Sequence, residues 1–216
     1  PLTIRAPGGG GTQKGAQHSH SIESWFVNAP GLRIVVPSTP YDFKGLLKTS
    51  IRSDDPVLFV EHEMLYSLKG PLPDDEEAEI LIPFGQAEIR RAGSDVTLIS
   101  WSRMVHESLK AAEALAAEGI EAEVIDLRTL DPLDWEAVLG SVSRTRRCVV
   151  AEEGWRKLGV GAEIASRLHE TLFYELDAPV QRVGAADVPT PYAKGLEQSA
   201  LPHAEDIVNA ALKITT

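Results

Sequence analysis

The sequence predicts an α/β protein built on a mainly parallel sheet covered on both faces. Strand-like and helix-like segments alternate with short breaks, and the stretches between successive strands are long enough for helical crossovers. The strands themselves read as short, nearly continuous apolar runs, as expected of strands buried on both faces. At 216 residues the chain is long enough for one large domain or two modest ones.

The elements follow in order. Leu2 to Arg5 reads as a strand leading into the glycine run Gly8 to Gly11, and Ile22 to Phe26 reads as helical. Ile34, Val35 and Val36 form a buried strand. Thr39 can then cap a helix that starts with Pro40, with Asp42 in the first turn at the positive end of the helix dipole. Phe43, Leu46, Leu47 and Ile51 are expected on the buried face of that helix, and Pro56 to Val60 is the next strand.

From Ser67 to Pro83 the periodicity is lost among prolines and an acidic run, Asp74 to Glu79, which reads as a solvated linker. The expected division is therefore residues 1–66, a linker 67–83 and a second domain 84–216. In the second part, Val96 to Ser100, Ala122 to Leu127, Cys148 to Ala151 and Val180 to Val183 read as strands. Helices are marked by Val105 to Leu115 (ended by Gly119), by the short span Trp135 to Leu139, by the stripe Val160, Ile164, Leu168 and Leu172, and by Ile207, Ala211 and Ile214.

Composition narrows the function. With 43% hydrophobic and 25% charged residues the chain lies in the globular range. A net charge of -11 and the lack of a basic stripe argue against nucleic acid, and no apolar run suggests a membrane span. The cluster Arg144, Arg146, Arg147 reads as solvating the start of a strand. The single cysteine, Cys148, excludes an internal disulfide and reads as a small buried hydrophobe. Pro1 leads directly into a strand, so a fragment of a longer chain is expected.

Among motifs, Gly8 to Gly11 lacks the dinucleotide fingerprint, since Gln13 stands where a glycine is needed. GVGAEI ends on Ile164 and fails likewise. His18 and His20 could ligate a metal only with further ligands at strand ends. His106 and His169 lie in or beside helices, His203 lies near the last one, and His62 alone stands at a strand end. On the residues alone, the two histidines decorate a solvated loop. Glu61-His62-Glu63 is a clipped HExxH without its second histidine and carries no catalytic expectation.

The block GAQHSHSIESWFVNAPGLRIVVPSTPYDFKGLLKTSIRSDDPVLFVEHEMLY resembles the later half of the pyrimidine-binding domain in the β subunit of thiamine-diphosphate-dependent 2-oxoacid dehydrogenases, the E1 component. IPFGQAEIRRAGSDVTLIS, EAEVIDLRTLDPLD, VVAEEGW, GVGAEI and DVPTPYAKGLE are similar to the transketolase C-terminal domain that follows it. The resemblance runs through essentially the whole chain. It implies a partial transketolase-like pyrimidine-binding domain followed by a transketolase C-terminal domain.

The implied activity is oxidative decarboxylation of a 2-oxoacid, pyruvate first on family frequency, with acyl transfer to the lipoyl arm of the E2 acyltransferase. The implied cofactor is thiamine diphosphate, with its magnesium held by the α subunit of an α2β2 assembly; no matching GDG segment occurs here. By the same resemblance His18 faces substrate and transfers protons, while His20 is an optional neighbour. A potassium ion would be held by Leu2, Ser50, Ile51, Ser53 and Asp55, largely through backbone carbonyls, with Ser53 departing from the usual aspartate. Glu152 to Trp155 follows a strand and in the family supports subunit packing. The family's catalytic glutamate lies upstream, so the chain is expected to be inactive alone. The alternative is a non-catalytic module that anchors E1 to a basic domain of E2. The expected compartment is the cytoplasm, with the mitochondrial matrix as the alternative.

Overall fold

The computed structural model describes residues 1–73 and 79–215, so most of the acidic run from Asp74 onward lies outside the described residues. The first part contains β1 (Leu2–Gly8), α1 (Glu23–Phe26), β2 (Arg33–Val35), α2 (Pro40–Arg52), β3 (Pro56–His62) and a 3-10 turn, Glu63–Leu65. The second contains β4 (Glu88–Arg91), β5 (Val96–Ser100), α3 (Arg103–Ala117), β6 (Ala122–Asp126), β7 (Thr129–Asp131) and α4 (Trp135–Thr145). It continues with β8 (Cys148–Trp155), α5 (Val160–Leu172), β9 (Gln181–Ala185), α6 (Lys194–Ala200) and α7 (Ala204–Thr215).

These strands form two sheets, in the orders β1-β3-β2-β7 and β4-β6-β5-β8-β9. The pairings β1·β3, β2·β3, β5·β6, β5·β8 and β8·β9 are all parallel. Each sheet carries one antiparallel strand at an edge: β7 on β2 and β4 on β6. β7 comes from the second part of the chain but completes the first sheet, which couples the two.

The core follows this coupling. Ile34, Val36, Leu58 and Val60 of the first sheet join Ile99, Ile125 and Val150 of the second in one buried cluster, closed by α4 and by the α5 stripe Val160, Ile164, Leu168 and Leu172. The other face of the second sheet is covered by α3 and α7, through Met104, Leu115, Ile207 and Ile214. Leu46 of α2 packs on Val35 and Phe59 with Ile82. Among the described residues no helix is long and apolar enough to cross a membrane.

Local expectations hold where local chemistry decides them. The Thr39 hydroxyl accepts from the Asp42 N–H at 3.1 Å, with Pro40 at the first helical position. Cys148 is fully buried, and burial pushes its thiol up.

Five expectations change. Ile51 is 65% exposed, because five residues beyond Leu46 the helix has turned about 140° off the buried face. The short helix continues to Thr145, since Val138 and Val142 are buried one turn apart and Asp134 caps it by accepting from the Ala137 N–H at 3.0 Å. β8 runs on to Trp155, so Glu152 to Trp155 lie within the strand rather than after it. The segment before β4 is irregular but not wholly solvated: Ile80 and Ile82 are buried, and a side chain at Gly45 would strike both. The arginine cluster also binds more than water, with Arg144 on Glu123 and both Arg146 and Arg147 on Asp177.

Candidate active site

The strands β1 and β3 of the first sheet and β5 and β8 of the second bring their carboxyl ends to one seam, where open α/β sheets hold their ligands. At the end of β3, His62 Nδ1 accepts from the Met64 N–H at 3.2 Å, which leaves Nε2–H to donate to Glu153 of β8 at 2.8 Å. Both side chains are almost wholly buried. Glu153 also accepts from Arg103 Nη1 at 2.9 Å, the Gly10 N–H at 2.8 Å and the Ser21 hydroxyl at 3.2 Å. Burial by itself would raise this carboxyl, but His62, Arg103 and the Gly10 N–H outweigh it and hold Glu153 down to about 2.

The glycine run makes this approach feasible. Gly9 has φ 86° and a side chain there would collide with the His62 ring; Gly11 has φ 99° and lies against Met64. Beside the pair, the buried Glu23 of α1 accepts from Trp101 Nε1 at 3.0 Å, and burial raises its carboxyl above the ordinary range. Glu152, next to Glu153 but pointing to the other face, is raised by burial to about 7 despite the Gly161 N–H and Arg182.

The loop after β1 carries His18 at the same edge of the sheet. A turn on the Gly15 carbonyl, which accepts from the His18 and Ser19 N–H groups at 3.3 and 3.1 Å, presents the His18 side chain to solvent. Among the described residues no hydrogen bond, ion pair or ring contact engages the His18 ring. His20 goes elsewhere: it sits edge-on between Trp25 and Trp155, with centroids at 5.6 and 5.1 Å. The two histidines therefore do not converge, and among the described residues no group of three metal-ligating side chains forms. The other histidines are engaged by backbone carbonyls, His106 on Ser38, His169 on Ala165 and His203 on Gln198.

Leu2, Ser50, Ile51, Ser53 and Asp55 meet at the opposite edge of the first sheet, where β1 and β3 begin and α2 ends. The Ser50 carbonyl accepts from Thr3 Oγ1 at 2.9 Å and the Ser53 N–H at 3.2 Å, and Asp55 pairs with Arg33 at 2.8 Å. This corner is separate from the His18 loop.

Residues 1–69 match the model of the transketolase pyrimidine-binding domain, and residues 85–207 match that of the transketolase C-terminal domain. The chain belongs to the transketolase family. It is 46% identical over 216 residues to the mitochondrial pyruvate dehydrogenase E1 component subunit beta of Dictyostelium discoideum, covering all of this chain and 61% of that protein. The corresponding subunit of Porphyra purpurea is 46% identical over 223 residues, with 66% of that protein covered. A solved structure titled a split gene transketolase, inactive beta4 tetramer, superposes with a TM-score of 0.77 at 27% identity, over 99% of this chain and 66% of the other. The transketolase-family chain thus spans about three-fifths of the length of the curated relatives it matches.

Within this transketolase-family fold, the partnership of His62 with Glu153 was not legible from sequence, because the two stand 91 positions apart. His62 ends β3 and Glu153 lies among the last residues of β8, and that was the available signal.

Proposed function

We propose that the chain is part of the β subunit of a 2-oxoacid dehydrogenase E1, taking pyruvate, with an α subunit completing an α2β2 assembly and an E2 lipoyl acyltransferase receiving the acyl group. The division into 1–66, 67–83 and 84–216 goes with this reading. The observation that carries it is the exposed, unengaged ring of His18 on a loop otherwise tied down at the carboxyl edge of β1.

In this reading His18 contacts the substrate and moves a proton at its imidazole nitrogen, a task that suits a ring whose nitrogens can both accept and donate a proton. Thiamine diphosphate, when bound by the whole assembly, supplies the carbanion chemistry. The glycine loop of this chain does not fit the diphosphate, since the N–H groups of Gly10, Gly11 and Gln13 already bind Glu153 and Glu197. Diphosphate and magnesium therefore fall to the α subunit. At the corner of Leu2, Ser50, Ile51, Ser53 and Asp55 the Ser50 carbonyl already accepts from Thr3 Oγ1 and the Ser53 N–H, so a potassium ion there would rest mainly on the other carbonyls, which need no particular side chain. The mitochondrial names of relatives such as that of Dictyostelium favour the matrix over the cytoplasm.

The test is to assemble the complete β subunit with its α subunit and follow carbon dioxide release from pyruvate with and without thiamine diphosphate. A well-folded complex that turns over no 2-oxoacid ends the enzymatic reading and leaves the anchoring module. His18→Ala is expected to lower acyl transfer to lipoyl E2 by about 10²-fold or more, the range of general acid–base contributions, with assembly intact. Unchanged transfer removes His18 from the site.

A further inference from the structure

The loop that carries His18 is dense in left-handed backbone, with φ of 86° at Gly9, 99° at Gly11, 58° at Gln13 and 66° at Gly15. Such backbone turns successive N–H groups toward one side, a concavity that ordinarily binds an anion. Here a side chain of the protein fills it. Glu197 of α6 accepts from the Gly11 N–H at 3.0 Å and from the Gln13 N–H at 3.1 Å on each of its oxygens. Its side chain is fully buried and forms no ion pair among the described residues. Burying a carboxylate is costly unless its oxygens are satisfied, and here these amides satisfy them.

The grip is two-sided. Glu153 takes the preceding amide, Gly10, at 2.8 Å. Gly10 is pressed so closely on Leu201, just past α6, that a side chain at that position would collide with it. A loop that leaves the first sheet is thus fixed by residues from the far end of the chain. Gln13, the last clamped residue, leads directly into the Gly15 turn that presents His18.

We infer that Glu197 is a positioning residue for His18: its carboxylate occupies the anion concavity of the glycine loop and holds the His18 turn at the carboxyl edge of β1. The inference rests on the role proposed for His18 above. A displacement of about 1 Å at a reacting group can cost about 10²-fold in rate, so loosening this clamp is expected to be felt in acyl transfer.

The experiment uses the complete β subunit assembled with its α subunit. In the unsubstituted protein the Gly11 and Gln13 amides are expected to be strongly protected from hydrogen exchange; exchange at the rate of free amides overturns the clamp without need of any variant. Glu197→Ala is expected to lower acyl transfer to lipoyl E2 about 10- to 100-fold. Glu197→Gln, which keeps one acceptor oxygen, is expected to recover part of that loss. Added to His18→Ala, Glu197→Ala is expected to cause no further loss, because it acts through a ring already removed. A further tenfold loss in the double variant overturns the inference. If His18→Ala lowers transfer and Glu197→Ala does not, the positioning role alone falls. If His18→Ala transfers at full rate, the reading of His18 falls, and the positioning role with it.

Discussion

Two buried charge networks join the sheets, and they are built differently. One places Asp42 of α2 and Asp126 of β6 around Arg90 and Arg128: Arg128 Nε donates to Asp42 at 2.8 Å, Arg90 donates to Asp126 at 2.8 Å and to Asp42, and Ser38 donates to Asp126. The other gathers His62, Arg103, Ser21 and the Gly10 N–H around the single carboxylate of Glu153. In the first, burial lifts Asp126 above the ordinary carboxylate range, and repulsion from Asp42 adds to it, against the pull of Arg90 and Ser38. In the second, the same burial is overcome. The difference shows that burial alone does not set a carboxylate's proton affinity. What decides is whether the partners are shared: Glu153 has His62 and Arg103, whereas Asp126 divides Arg90 with Asp42.

The largest effect is expected at the arginine seam. Asp42→Ala leaves Arg90 and Arg128 partly or fully buried without their shared partner, and should cost about 3–5 kcal/mol of stability, read from the denaturant midpoint of the assembled protein. The Gly10 amide should keep its exchange protection, since this seam does not touch the glycine loop. A loss below about 1 kcal/mol would put the seam among ordinary surface pairs and undo the contrast.

The Glu153 seam should show its character in pH. Its carboxyl is depressed from 4.5 to about 2, so its contribution is fully present above the unfolded value and is lost as pH falls through the folded one. Glu153→Gln should therefore cost roughly 3 kcal/mol at pH 7, with the gap to the parent narrowing to roughly 1 kcal/mol at pH 3. It should also speed exchange at Gly10. A gap that is constant from pH 7 to pH 3 would mean that the charge on Glu153 contributes nothing. The smallest effect belongs to the edge of the first network: Thr39→Ala removes the cap of α2 and should cost about 1 kcal/mol at pH 7 in the same denaturation experiment.

The elements were legible to very different degrees. α2 and α5 could be read because the Thr39-Pro40 start and the Val160, Ile164, Leu168, Leu172 stripe are patterns of adjacent turns. α6 was invisible for the opposite reason: Leu196 is exposed while Glu197 is buried, so the apolar pattern points the wrong way round. β4 is an edge strand of charged residues with Ile89 turned outward, and β7 is three residues long, too short for any period to show. At the candidate site, His18 was named through the resemblance of its surrounding block. His62, Glu153 and Glu197 gave no comparable sign, since each takes its meaning from residues more than 90 positions away.

By itself the sequence determined the α/β alternation, the parallel interior strands, the capped helix and the burial of Cys148. These depend on the period and chemistry of a few neighbouring residues, which are present wherever the chain goes. Only the tertiary structure decided that β7 crosses to the first sheet and that Asp42 serves a second network besides its own helix. It also decided that the N–H groups of Gly10 and Gly11 serve an internal clamp. Buried charges and unpaired N–H groups must be satisfied by whatever the fold brings near them, and that partner can lie anywhere in the chain. For the Gly11 amide it is Glu197, 186 residues on.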